Sequence, residues 1–261
     1  MRHLFKDWAN IARRFKAADH VLLLLDYDGT LTPIVDKPEL AVLAYDTRKL
    51  LQKLTKNRHY TVGIISGRAL SDLKSIVGLD DLIYAGNHGL EIEGFGSSFL
   101  EPVAVEMQPF IDMLHKALSV TMKGIRGVFV ENKGLTLSVH YRMAEAKEEK
   151  VKDAFRKVTE PLHVTGRIRI TEGKKVYEIR PPVDWNKGKA VAWLMAKLKD
   201  ISRKQNILPV YLGDDLTDED AFKVIDKMNG ISIVIGEDNI SSVAQYYLKT
   251  SQEVADFLKM L

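Results

Sequence analysis

Apolar positions along the chain follow two regimes. In the first, short continuous apolar runs alternate with segments of helical spacing. VLLLL (21–25) reads as a strand buried on both faces and YTVGIIS (60–66) as another buried strand, with LIYAG (82–86), LPVYLGDD (208–215) and ISIVIG (231–236) as further strands. YDTRKLLQKLTKN (45–57), residues 69–77, NKGKAVAWLMAKLKD (186–200), DEDAFKVIDKM (218–228) and SQEVADFLKML (251–261) read as helices. A further amphipathic helix over 4–16 carries Leu4, Trp8, Ile11, Ala12 and Phe15 on one face. Strands alternating with helices predict a parallel α/β sheet.

The second regime interrupts the first. A helix over 103–122, beginning near Pro109, is followed by a hairpin over 127–142 that turns at Lys133-Gly134. A helix over 144–158 and two strands over 167–171 and 175–180 complete the order αββαββ. Such a unit is a small antiparallel sheet with helices on one side. The simplest organisation is an α/β core over 1–103 and 181–261, with an α+β insert over 104–180.

Composition narrows the classes. Apolar residues at 46% and charged residues at 28% match an ordinary globular domain and leave enough side chain for a sizeable core. The net charge of +3, with no basic tract, gives no reason to expect nucleic acid as a partner. No run reaches the roughly 18 to 20 apolar residues that span a bilayer, and the charged N-terminus lacks the apolar stretch of a signal peptide. No membrane association is expected, and a cytoplasmic location is. There are no cysteines, so disulfides and thiolate metal sites are excluded, and a bound metal must use oxygen or imidazole.

Candidate chemistry gathers where strands end. In open α/β sheets ligands bind beyond the carboxyl ends of the strands. Asp26 and Asp28 follow VLLLL, Ser66 ends YTVGIIS, Asn87 and His88 follow LIYAG, Asp214 and Asp215 end LPVYLGDD, and Lys187 opens a helix. Each feature alone is more often a turn or a helix cap than a catalytic group. Buried carboxylates are costly without compensation. If Asp26 and Asp214 converge, a hard divalent cation such as Mg²⁺ is their natural partner. Ser66 and Lys187 would then hold the oxygens of a phosphate.

The order of these features adds specificity. DYDGT (26–30), IISGR (64–68), Lys187 and GDDLTDED (213–220) resemble the four motifs of the haloacid-dehalogenase-type (HAD) phosphatases. The insert falls where one branch of those enzymes carries an α/β cap. The chain also shows DYDGTLTPI with Pro38, SGR, GNHGLE (86–91), ENK (131–133), HYR (140–142) and GDDLTDEDAF (213–222). In these it is similar to the trehalose-6-phosphate phosphatases. The resemblance implies a Rossmann-like HAD core with a parallel sheet and an inserted α+β cap. It implies Asp26 as the nucleophile that forms an aspartyl-phosphate, and Asp28 as general acid and then base. Mg²⁺ would be held by the Asp26 carboxylate, the Asp28 carbonyl and the Asp214 carboxylate. Lys187 would neutralise the transferring group. Thr30 and Ser66 would hydrogen-bond phosphate or orient Asp28, with Arg68 also at the substrate. Asp215 and Asp218 are expected to support the metal site from behind or through water, with direct ligation open for either.

Period-two reading of the insert separates an apolar from a polar face. Phe129, Glu131 and Lys133 share one face; Thr136, Ser138, His140 and Arg142 share one; Glu178 lies with Arg180, and Arg167 with Arg169 and Thr171. Unplaced, such a face is more often simply solvated. The resemblance implies that Glu131, Lys133, Arg142 and Glu178 bind disaccharide hydroxyls, with His140 and Arg180 nearby. His88 would line the entrance or make a structural hydrogen bond. Cap closure would hinge near 100–104 and 180–184, beside Pro102, Pro181 and Pro182.

The function implied is Mg²⁺-dependent hydrolysis of trehalose 6-phosphate to trehalose and phosphate by a monomer, with a separate trehalose-phosphate synthase as a working partner. The rivals are a phosphatase of sucrose, glucosylglycerol or mannosylglycerate phosphate, a phosphomutase, and a catalytically silent sensor. Silence would normally show a lost acid or nucleophile, and none is lost here.

Overall fold

The computed structural model describes residues 1–144, 147–173, 175–236 and 241–261. Contacts divide the chain into two compact units, residues 1–99 with 185–261, and residues 100–184.

The first unit is built on a nine-stranded, mostly parallel sheet. Its strands are β1 (Arg2–His3), β2 (His20–Leu25), β3 (Tyr60–Ile65), β4 (Ile83–Gly86), β5 (Glu91–Gly94), β6 (Ser97–Leu100), β11 (Ile207–Gly213), β12 (Ile231–Ile235) and β13 (Tyr246–Leu248), where β7 to β10 belong to the second unit. The spatial order is β1-β13-β12-β11-β2-β3-β4-β5-β6. β2 lies at the centre, with Leu25 in register with Ile64 of β3 and with Leu212 of β11. The chain leaves β2 toward β3 and returns on the opposite side at β11, which creates the crevice where α/β sheets bind ligands.

The apolar run of β2 is explained by helices on both faces. Val21, Leu23 and Leu25 pack with one cluster, which includes Ile11 and Phe15 of α1 (Trp8–Ala17), Leu51 and Leu54 of α2 (Tyr45–Thr55), Leu73 and Val77 of α3 (Leu70–Val77) and Val254 and Phe257 of α9 (Ser251–Lys259). Leu22 and Leu24 join the other cluster, with Val191, Leu194 and Leu198 of α7 (Lys187–Ser202) and Phe222 and Ile225 of α8 (Asp218–Lys227). Each leucine so buried contributes about 2 kcal/mol by the area removed from water. This rigid centre is what can hold polar groups at its carboxyl end.

The second unit contains α4 (Pro102–Glu106), α5 (Gln108–Met122), β7 (Phe129–Asn132), β8 (Leu137–His140), α6 (Glu148–Val164), β9 (Arg169–Gly173) and β10 (Val176–Arg180). Its antiparallel sheet has the order β7-β8-β10-β9. Leu137, Val139, Tyr177 and Ile179 bury one face against Ile111, Leu114 and Leu118 of α5 and Val151 and Phe155 of α6.

Most expected elements form, and several boundaries differ for identifiable reasons. The helix expected over 103–122 is two helices, because Pro102 and Pro109 each open one at positions where no amide hydrogen is needed. The helix expected over 144–158 runs from Glu148 to Val164 and carries Pro161 inside it. Residues 145 and 146 of that expected helix lie outside the described residues. The β5–β6 hairpin, β1 and β13 have no strong period-two signal. Arg167, expected on the polar face, precedes β9 and sets its guanidinium 4.7 Å above the Phe110 ring of α5. Among the described residues no helix is long and apolar enough to cross a membrane.

Candidate active site

The site begins where β2 ends. Asp26 N donates to Leu212 O of β11 at 2.8 Å, so pairing continues one residue past the strand and carries Asp26 to the carboxyl edge of the sheet. The chain then doubles back: Leu31 N and Thr32 N both donate to Tyr27 O, and Gly29 N donates to Thr32 O at 2.8 Å. Gly29 makes this turn with φ +87°, and a Cβ there would sit 2.3 to 2.6 Å from the Asp214 carboxylate. Glycine is required twice over, by its left-handed backbone and by the carboxylate packed against it.

Lys187 joins the ends of β2 and β11. It opens α7, whose N-terminus is capped by the Asn186 side chain accepting from Lys189 N at 2.9 Å. Its ammonium is almost wholly buried and donates to Asp26 Oδ1 at 2.8 Å and to Asp218 Oδ1 at 2.6 Å. Burial alone would pull its pKa down, yet the facing charges of Asp218 and Asp26 outweigh this and hold it well above the ordinary lysine value.

Asp218 is the hub of this arrangement. Besides Lys187, the Tyr211 hydroxyl donates to its Oδ1 at 2.6 Å, and the backbone amides of Asp214 and Asp215 donate to Oδ2 at 3.0 and 3.1 Å. It fixes the loop after β11 from below, and its lone pairs are thereby committed. Asp215 instead closes the turn just before α8, accepting from the amide and hydroxyl of Thr217 at 2.8 and 2.7 Å. Desolvation raises its pKa, but the Lys187 charge and these donors bring it down to about 2.

Carboxylate oxygens of Asp26, Asp214 and Asp218 lie within 4.8 Å of one another, and all three residues are buried. Within this group of four, three carboxylates against one ammonium leave two negative charges in excess. Burial, opposed by Lys187 and reinforced by Asp218 and Asp214, raises the Asp26 pKa well above its ordinary value. Burial likewise pushes Asp218 up, to about 6. This imbalance, and a donor set of oxygen alone, fits a hard divalent cation. With Asp218 committed to four donors, Asp26 and Asp214 are the carboxylates that can face it. Nearby, the fully buried Thr30 hydroxyl has no hydrogen-bond partner. A hydroxyl left so costs about 1 to 3 kcal/mol, and a bound oxyanion would satisfy it.

Asp28 is held differently. Arg68 Nε and Nη2 donate to its two oxygens at 2.7 and 2.8 Å. The same guanidinium donates to Asp72 Oδ2 at 2.8 Å and to Pro38 O at 2.7 Å. The resemblance implies Arg68 at the substrate; within the protein its guanidinium makes these four donor contacts, since an arginine three residues past β3 faces Asp28 across the turn. Ser66 is buried, and its Oγ accepts from Arg68 N at 3.2 Å. His88, expected to line an entrance or to make a structural hydrogen bond, is buried with a left-handed backbone of φ 57°. Its amide donates to Ser66 O at 2.8 Å, and its ring lies against Gly67, where a Cβ would be 2.8 Å away.

Of the residues expected in the insert, Glu131, His140, Glu178 and Arg180 fall on the face of its sheet opposite α5 and α6. Lys133 Nζ donates to Glu178 Oε1 at 3.2 Å, and His140 Nε2 lies 2.8 Å from Glu131 Oε2. Arg180 ends β10 opposite Arg169, and Arg142 lies just beyond β8. Tyr211, absent from the expected set, is the group that sequence reading misses. Its one signal is a hydroxyl inside the otherwise aliphatic ILPVYLG.

Comparison with known proteins places this arrangement. A family model described as "Trehalose-phosphatase" matches residues 24–252. The chain is 36% identical over 257 residues to "Probable trehalose-phosphate phosphatase 3" of Oryza sativa subsp. japonica, covering 92% of this chain and 69% of that protein. Its fold is similar to that of the C-terminal domain of trehalose-6-phosphate phosphatase of C. albicans, with a TM-score of 0.81 and 24% identity over 97% of this chain and 96% of that one. It is also similar in fold to a haloacid dehalogenase-like hydrolase from Bacteroides thetaiotaomicron, with a TM-score of 0.62 and 16% identity over 92% and 99% of the two chains. With the family model spanning most of its length and relatives this close, the chain belongs to the trehalose-phosphatase family and carries the haloacid-dehalogenase fold.

Proposed function

We propose that this protein hydrolyses trehalose 6-phosphate to trehalose and inorganic phosphate through an aspartyl-phosphate on Asp26. The observation that carries this reading is the buried Lys187 ammonium bonded to Asp26 and Asp218, in a chain of this family. Asp26 attacks phosphorus with the carboxylate oxygen that is not bonded to Lys187. The bond between phosphorus and the sugar oxygen breaks, and Asp28 gives its proton to that leaving oxygen. Asp28 then takes a proton from water as the water attacks phosphorus, which releases phosphate and restores the Asp26 carboxylate. Arg68 keeps Asp28 in the orientation both steps need. Thr30 and Ser66 bind phosphate oxygens, and Lys187 limits the negative charge that builds on the transferring group.

Asp26 and Asp214, with the Asp28 carbonyl, would hold Mg²⁺. When bound it supplies charge neutralisation for the approach of one anion to another. We assign sugar recognition to Glu131, Lys133, Arg142 and Glu178 of the second unit, with His140 and Arg180 beside them. A separate synthase would supply the substrate.

Phosphate release is measured on trehalose 6-phosphate, sucrose 6-phosphate, glucosylglycerol phosphate and glucose 6-phosphate, with Mg²⁺ and with EDTA. Strong Mg²⁺-dependent preference for trehalose 6-phosphate, lost in Asp26→Asn, supports the reading. Preference for another ester keeps the chemistry and overturns the sugar assignment.

A further inference from the structure

The second unit's sheet carries an aromatic side chain on its polar face. β7 is an edge strand, and its register sets three rows across that face. Glu131 pairs with Ser138, which pairs with Glu178, which pairs with Thr171. This row is polar throughout, and Glu178 accepts from Thr171 Oγ1 within it at 3.5 Å and from Lys133 Nζ, just past the end of β7, at 3.2 Å. One step toward the start of β7, Phe129 pairs with His140, which pairs with Val176. The row on the other side ends in Arg180 and Arg169.

Phe129 does not belong to the buried core of this unit. Its neighbour Val130 packs on that core, whereas Phe129 points to the opposite face and is 50% exposed. Its ring nevertheless has an aromatic partner. It stacks on the His140 imidazole with centroids 5.9 Å apart and planes inclined by 24°. His140 is in turn fixed by Glu131 at 2.8 Å. An aromatic face held in place beside a row of carboxylates, hydroxyls and an ammonium matches the two-sided chemistry of a pyranose. The ring hydroxyls need the polar row, and the C–H face needs an apolar plane.

We propose that Phe129 is a specificity-determining residue, packing its ring against the C–H face of a hexopyranosyl group whose hydroxyls the Glu131–Glu178 row binds. Glu131 then serves twice, as a hydroxyl acceptor and as the group that orients His140 beneath Phe129. This rests on the sugar-phosphate reading above, and adds a hydrophobic contact that the polar residues cannot supply.

The experiment compares wild type, Phe129→Ala, Phe129→Leu and Phe129→Tyr. KM and kcat are measured on trehalose 6-phosphate and on p-nitrophenyl phosphate, which has no sugar, and a melting temperature is taken for each variant. Phe129→Ala is expected to raise KM for trehalose 6-phosphate by about fivefold with kcat held within about twofold, the size of one aromatic contact. Hydrolysis of p-nitrophenyl phosphate stays unchanged, and Phe129→Tyr restores the wild-type KM where Phe129→Leu does not. An unchanged KM in Phe129→Ala overturns the proposal. So does full rescue by leucine, or an equal loss on both substrates with a lowered melting temperature. If wild type ignores trehalose 6-phosphate but hydrolyses another hexosyl phosphate, the disaccharide assignment fails, and the same variant comparison on that ester decides Phe129. A wild type active on no sugar phosphate overturns both.

Discussion

Arg68 grips Asp28 by both carboxylate oxygens, at 2.7 and 2.8 Å, while its remaining arm reaches Asp72 and its Nη2 also reaches Pro38 O. The planar fork sets the carboxylate in one orientation, and a single ammonium could not do so. Under the proposed mechanism Asp28 moves two protons, and both transfers depend on that orientation. Arg68→Lys is therefore expected to lower kcat by about ten- to a hundredfold with KM little changed. Steady-state kinetics on trehalose 6-phosphate checks this; a variant that changes KM alone would instead return Arg68 to the substrate.

Asp218 organises more than it exposes. Its removal in Asp218→Ala strands the Lys187 ammonium with one partner and leaves Tyr211 Oη and two backbone amides without their acceptor. Breaking a buried charged network of this kind costs about 3 to 5 kcal/mol. Tyr211→Phe removes one donor while keeping the ring, and should cost about 1 kcal/mol. Urea unfolding of the two variants tests the ratio, which a peripheral role for Asp218 would not produce.

The same charges give the metal-free protein a pH signature. The unfolded chain ionises Asp218 near 3.8, whereas burial holds its proton in the folded state up to about 6. Between those values the folded state binds more protons, so stability falls as pH rises through the window. Asp26, raised chiefly by burial, contributes with the same sign. Asp215 has the opposite sign: held down to about 2, it stabilises above 3.8 and loses that contribution as pH falls toward 2. Melting in EDTA from pH 4 to 7 should show the decline. Mg²⁺ at a hundred times its dissociation constant should restore about 2.7 kcal/mol at pH 7, and the absence of any Mg²⁺ effect would count against the cation site.

Gly29→Ala places a methyl carbon into the Asp214 carboxylate and asks alanine to hold φ +87°. The backbone alone costs about 1 to 2 kcal/mol, and Asp214 must move. Activity should fall more steeply than stability, read by kcat beside a melting curve, since the displaced carboxylate is a proposed metal ligand.

Much of this architecture is legible in the amino-acid pattern alone. β2 can be read from VLLLL because a strand covered on both faces needs no alternation, and its leucines divide between two helix layers as that reading requires. The faces of the second unit follow from period two, so that Leu137, Val139, Tyr177 and Ile179 lie inside and Ser138, His140 and Glu178 lie on the other face. What escapes the pattern depends on tertiary pairing. β1 is two residues long and exists because Tyr246 and Tyr247 offer an edge. The β5–β6 hairpin carries little apolar pattern, and its Gly94 and Gly96 sit where the chain turns. Arg68 can be placed near the site from SGR, but only geometry shows whether an arginine meets a ligand or a neighbouring carboxylate. Tyr211 is hidden for the opposite reason. It sits in a strand apolar enough to look complete, and its hydroxyl acquires a purpose only when Asp218 folds over it.

Under the proposed mechanism Asp26 becomes phosphorylated during turnover. The most direct measurement is an acid quench of enzyme turning over trehalose 6-phosphate, followed by mass spectrometry of the peptide that contains Asp26. A hydroxylamine-sensitive phosphoryl group on Asp26 is expected to appear with substrate, decay as substrate is exhausted, and be absent in Asp26→Asn. Sustained phosphate release with no such adduct, together with activity retained in Asp26→Asn, would contradict it.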